Sequence, residues 1–186
     1  MGTKYTDTMT SVGKLKGKRV AVFVDQLYQE MEVWYPYYRL IEEGAEVHLV
    51  GAEAGKSYPS KTGYPAVTSK SYAEIDPASY DGVVAPGGFA PDFIRRNPKA
   101  NQFIAEINRQ GKLVAAICHG LWCCVSADVL RGRHCTSFFA IRDDVQNAGG
   151  LWEDSEVVVD RNLVSSRKPD DLPAFLRAAI AILAAQ

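Results

Sequence analysis

Lys112-Leu-Val-Ala-Ala-Ile-Cys-His-Gly120 decides the fold. Its first six residues form a short apolar run that predicts a strand buried on both faces. Cys118-His119-Gly120 follows at once, and the apolar stretch to about Ala127 predicts a helix with no intervening loop. Ala116-Ile-Cys-His-Gly120 has the small-x-nucleophile-x-small pattern of a nucleophile elbow. Small residues two places either side of Cys118 let the chain turn sharply, and the turn exposes the thiol in a strained conformation. A thiol at a helix start also lies near the positive end of the helix dipole, which favours thiolate. The competing reading, a cysteine packed between strand and helix, gives no reason for the Gly120 partner.

Working outward, the same alternation repeats. Arg19-Val-Ala-Val-Phe-Val24 predicts a strand, and 28–43 a helix with Met31, Trp34, Tyr35, Tyr38 and Ile41 near one face and Pro36 causing a kink or irregular first turn. Gly44 closes that helix, and Glu46-Val-His-Leu-Val50 is the next strand. A Gly- and Pro-containing stretch, 51–72, has room for a small hairpin around Lys61-Thr-Gly-Tyr64. Asp81-Gly-Val-Val-Ala85 is a strand running into Pro86-Gly87-Gly88, and 91–110 a helix broken near Asn97-Pro98. Further on come a helix over 140–148, a hairpin pairing 156–159 with 162–165, and a terminal helix over 172–185. Strands alternating with helices predict an α/β three-layer sandwich, its mostly parallel sheet covered on both faces. The 186 residues suit one domain, 19–186, preceded by a polar extension, 1–18.

Composition narrows the function. A formal net charge of -1 argues against a nucleic-acid footprint. No apolar run of about 18 residues appears, and 1–18 lacks the apolar middle of a secretory signal. The four cysteines, Cys118, Cys123, Cys124 and Cys135, include no Cys-x-x-Cys pair. With His48, His119 and His134 they complete no zinc pattern, so no metal is expected. The thiols read as reduced, the compartment as cytoplasmic, and Cys123, Cys124 and Cys135 as small core side chains.

In an open α/β sheet, sites form outside the carboxyl ends of the strands. Three segments meet that condition: Gln29-Glu30-Met31-Glu32, Pro86-Gly87-Gly88 and the elbow. A desolvated Glu32 carboxyl beside Cys118 would hold its proton and shuttle it. Gly87, Gly88 and His119 could aim backbone N–H groups at a developing oxyanion. The His119 side chain is ambiguous, because neighbours on a turn diverge. Asp92 is by default a first-turn acid.

These residues resemble a known family. Ala116-Ile-Cys-His-Gly120, Ala85-Pro-Gly-Gly-Phe-Ala-Pro-Asp92 and Glu30-Met-Glu32 before Tyr35-Pro36 are similar to the PfpI-type intracellular protease family, within the superfamily of the parkinsonism-associated deglycase. Leu130-Arg-Gly-Arg133, Asp143-Asp144, Asn147-Ala-Gly149, Val157-Val-Val-Asp160 and Val164-Ser-Ser-Arg167 extend the match, so it covers about 19–183. The resemblance implies a flavodoxin-like fold and a homodimer or higher homo-oligomer. It implies Cys118 as nucleophile and Glu32 as its protonated partner. In peptidase-like members His119 is the general base, oriented by an acid of a neighbouring subunit, whose place Asp92 takes here. It implies cofactor-free chemistry on small carbonyls or glycated proteins in stress protection, with peptidase, chaperone and oxidative-stress-sensing roles as alternatives. No cofactor, nucleic-acid or membrane partner is implied. Three departures weaken the peptidase alternative: Asp92 is one methylene shorter than the usual glutamate, Phe138 replaces a tyrosine, and Gln29 replaces a common acid.

Overall fold

The computed structural model describes residues 13–186, and in it each apolar run takes the element its period demands. β1 (Arg19–Phe23) leads to α1 (Glu30–Glu42) and then β2 (Glu46–Gly51). β3 (Ser57–Pro59) and β4 (Pro65–Val67) form the small hairpin, closed by a turn over 60–64, and β5 (Lys70–Ser71) follows. β6 (Gly82–Ala85) precedes two helices, α2 (Ala90–Ile94) and α3 (Pro98–Arg109), separated where Asn97 caps Lys99 N–H and Pro98 opens α3. β7 (Leu113–Ile117) enters a single 3-10 turn, Cys118–Gly120, and then α4 (Leu121–Ser126). β8 (His134–Cys135), α5 (Arg142–Asn147), β9 (Leu151–Trp152), β10 (Val157–Asp160), β11 (Leu163–Ser166) and α6 (Leu172–Ala185) complete the chain.

The main sheet has the order β10-β11-β7-β6-β1-β2-β5, parallel except for β10, which returns on β11 as the expected hairpin. α1 packs beside α6, while α3 packs against α4, so helices cover both faces. All five residues of β7 are buried, which explains its unbroken apolar run: neither face meets water. Burial of each Val, Leu or Ile of this kind stabilises the fold by roughly 1.5–3 kcal/mol. From β1 the chain steps outward to β2, then crosses to the other side for β6. β1 and β6 therefore flank the switch point of the winding, where a crevice opens.

Three expectations change. Along α1 the side chains taken to share a face are not the inward ones: Met31, Tyr35, Tyr38 and Ile41 are exposed, whereas Glu32, Val33, Pro36 and Leu40 are buried. Both stripes are rich in apolar groups, and packing on β1, β2 and α6 buries the second one, which carries the Glu32 carboxyl into the crevice. Pro36 sits inside a continuous helix and leaves the Glu32 carbonyl without its helical N–H donor. The short β8–β9 ladder was not anticipated, since two-residue strands carry no periodicity. Of the polar lead-in, 1–12 lies outside the described residues. The described part, 13–18, packs on the domain: Leu15 is fully buried and its N–H donates to the Glu43 carbonyl at 2.8 Å.

Candidate active site

Three adjacent strands, β1, β6 and β7, end at the crevice, and each loop beyond them supplies one part of the site. The first turn of α1 carries Glu32, which is 0% exposed. The loop after β6 supplies Gly87, whose N–H donates to Glu32 Oε2 at 2.7 Å. Among the described residues Oε1 has no hydrogen-bond partner. A Cβ on Gly87 would lie 2.6 Å from Glu32 Oε2 and 2.8 Å from the Cys118 Cβ. Only glycine fits between the Glu32 carboxyl and the Cys118 Cβ, and the carboxyl and the thiol interact directly. Gly87 was expected among the oxyanion donors; its N–H is committed to the carboxyl instead.

Cys118 has φ +61°, the left-handed region that a residue with a Cβ rarely adopts, at a cost of about 1–3 kcal/mol. The turn is held from outside by the Phe138 N–H, which donates to the Cys118 carbonyl at 3.3 Å. The N–H groups of His119 and Gly88 lie close enough to the Cys118 thiol to favour its charged form. The strained turn also decides the His119 side chain. Sequence neighbours normally diverge, but here Nδ1 lies 3.3 Å from Cys118 Sγ. The ring is fixed by Phe138, stacked at 5.0 Å, and by Trp122, edge-on at 5.2 Å. Trp122 is in turn anchored through Nε1 to Asp144 at 2.8 Å.

Burial governs the protons. It pushes the Glu32 carboxyl up to about 8, against the Gly87 N–H, Cys118 and Lys61. Burial, and then the negative charge of an ionised Glu32, push the Cys118 thiol up to about 12. The expected ready thiolate is therefore corrected. One 3-10 turn and a six-residue helix make a weak dipole, and desolvation outweighs it. Burial and the Lys61 ammonium lower His119, so its imidazole is neutral near pH 7. At rest the site holds a carboxylic acid, a thiol and a neutral base.

A pH dependence of stability follows. The folded chain keeps the Glu32 proton up to about 8, while the unfolded chain releases it near 4.5. The stabilisation is fully present below 4.5 and lost as pH rises through about 8. We expect urea denaturation to give a stability lower by a few kcal/mol at about pH 8.5 than at about pH 5. Glu32→Gln should flatten that slope, and an unaltered slope in the variant would show the carboxyl already ionised.

Asp92 lies elsewhere. It sits on α2, half exposed, paired with Arg96, and does not line the crevice of its own chain. The crevice is a cavity of about 340 Å³ that also takes in Lys61, Phe89 and Lys168. Sequence reasoning missed these lining residues, because Lys61 comes from the β3–β4 turn and Lys168 from the loop after β11. No local pattern joins two such loops. Among the described residues no three metal-ligating side chains converge, and no helix is long and apolar enough to cross a membrane.

An elbow cysteine facing a neutral carboxyl at the switch point of a flavodoxin-like sheet defines a cysteine-centred α/β protein. The sequence profile of the DJ-1/PfpI family matches residues 18–182, and the chain belongs to that family. A deglycase of Thermococcus kodakarensis is 45% identical over 156 residues, which are 84% of this chain and 93% of the relative. Protein/nucleic acid deglycase 2 of Escherichia coli is 42% identical over 170 residues, 90% of this chain and 99% of the relative. Among solved structures, a two-domain protein of Anabaena variabilis with a DJ-1/ThiJ/PfpI-like and a ferritin-like domain matches with a TM-score of 0.86 at 39% identity. That match covers 88% of this chain and 47% of the two-domain protein, so this chain spans about half its length.

Proposed function

We propose that this protein is a cofactor-free thiol enzyme of stress protection that acts in the cytoplasm on reactive carbonyls such as methylglyoxal and on early glycation adducts. The observation that carries the reading is the buried, proton-holding Glu32 facing Cys118. The deglycase names of two relatives over most of their length support it.

The chemistry balances without an outside oxidant or reductant. The Cys118 thiol adds to the aldehyde carbon, its proton passing to His119 Nδ1 while Glu32 protonates the aldehyde oxygen. The Glu32 carboxylate then removes the hydrogen from the hemithioacetal carbon as His119 returns its proton to the neighbouring ketone oxygen. Glu32 delivers its proton to the former ketone carbon and takes one from the hydroxyl beside sulfur, leaving a lactoyl thioester. Water hydrolyses the thioester, so methylglyoxal plus water becomes lactic acid and the thiol is restored. The N–H groups of His119 and Gly88 steady charge at the reacting sulfur throughout.

The pure protein should form lactate from methylglyoxal with no added thiol or metal, followed with lactate dehydrogenase. Absence of lactate under those conditions ends this reading. Contact between His119 and Cys118 keeps a second reading open, a cysteine peptidase in which Asp92 of a second copy orients His119. It requires the chain to be a homo-oligomer. The sensor reading requires Cys118 to be the first thiol that mild peroxide oxidises, ahead of the fully buried Cys123, Cys124 and Cys135.

A further inference from the structure

We infer that the crevice selects carbonyl substrates that carry an anionic group, held by Lys61 and Lys168. This rests on the carbonyl reading above and names the substrate class for that site. Every charged side chain lining the cavity except Glu32 is a cation, namely Lys61 and Lys168. Glu32 holds its proton near pH 7 and so does not cancel them. The chain as a whole is slightly acidic, at -1, so the positive field at the crevice is a local arrangement and not a property of the whole surface.

The two lysines are available in different ways. Lys61 stands exposed on the hairpin turn, makes no ion pair among the described residues, and lies near enough to act electrostatically on both Glu32 and His119. Lys168 pairs with Asp170 at 3.0 Å, with both side chains about half exposed or more. An exposed pair of that kind is weak and yields to a substrate anion. The neighbouring cation cannot substitute: Arg167 is held by Asp154 at 2.7 Å and by Asp171 at 2.9 Å. A second cavity of about 350 Å³ adjoins the first and shares Phe138 and Lys168 with it. Lys168 therefore stands where the two cavities meet, in reach of a substrate arm that leaves the reacting centre.

The test uses charged and neutral alkylating reagents, so it needs no turnover. Iodoacetate and iodoacetamide would be reacted with the intact protein and Cys118 modification followed by peptide mass spectrometry. Cys123, Cys124 and Cys135, each 0% exposed, serve as internal controls. A raised thiol pKa slows both reagents equally, so their ratio isolates recognition of the charge. Relative to a neutral free thiol, the iodoacetate-to-iodoacetamide ratio should be about five- to tenfold higher at low salt and fall at about 0.3 M salt. Lys61→Gln with Lys168→Gln should return the ratio to the free-thiol value. A ratio equal to the free thiol's in the unaltered protein overturns the inference, as does a high ratio that survives both substitutions. Inorganic phosphate and acetate, added as competitors, distinguish phosphate esters from carboxylates by which protects Cys118 at lower concentration; protection by neither also overturns it. Lactate formation plays no part in these measurements, so failure of this inference and failure of the carbonyl reading remain separable.

Discussion

Cys118→Ala should abolish lactate formation from methylglyoxal, a loss of about 10³-fold or more. The sulfur is the atom that bonds to the aldehyde carbon, and neither remaining group replaces it. Glu32 is a neutral acid at rest and His119 a neutral base, so both can move protons but neither is placed to form the covalent adduct. The substitution is a clean one structurally. Alanine meets the same backbone conformation at φ +61° with the same Cβ, and only one buried atom is removed. Stability should therefore change by about 1 kcal/mol or less. A thermal melt beside the lactate assay checks both halves. Full activity in the variant would remove Cys118 from the chemistry.

The second large effect is structural. Gly120→Ala should destabilise the domain by about 3 kcal/mol or more, read as a shift in the denaturant midpoint. A Cβ at this position would lie 2.2 Å from the Ala85 carbonyl oxygen and 3.1 Å from the Pro86 carbonyl oxygen. Those are backbone atoms at the end of β6, so no side chain can swing aside. Relief would require β6 and the elbow to separate, which would pull the Gly87 N–H from Glu32 and spoil the gap between carboxyl and thiol. Activity should fall together with stability. A midpoint unchanged from the parent would show that the two segments do not pack as closely as the structure has them.

The elbow at Cys118, the strand-helix alternation and the break at Asn97-Pro98 were legible in the sequence for a common reason. Each depends on residues within a few positions of one another: small groups flanking a turn, an apolar period, a proline that cannot continue a helix. The inward face of α1 was not legible, because Met31, Trp34, Tyr35 and Tyr38 make as good an apolar stripe as Val33, Pro36 and Leu40. Only the sheet and α6 beneath it select between them.

The site divides along the same line. By itself the sequence determined that a cysteine sits on a strained turn at the carboxyl edge of the sheet, with acids and glycines in neighbouring loops. The protonated Glu32 was already expected from the sequence; tertiary structure alone decided that Cys118 rests as a thiol, that His119 turns back to the sulfur, and that Lys61 and Lys168 share the mouth of the crevice. Protonation follows from desolvation, and desolvation is produced by atoms from β1, β6, β7 and the loops beyond them closing over one point. No window along the chain contains that sum, because it exists only once those remote segments are packed together.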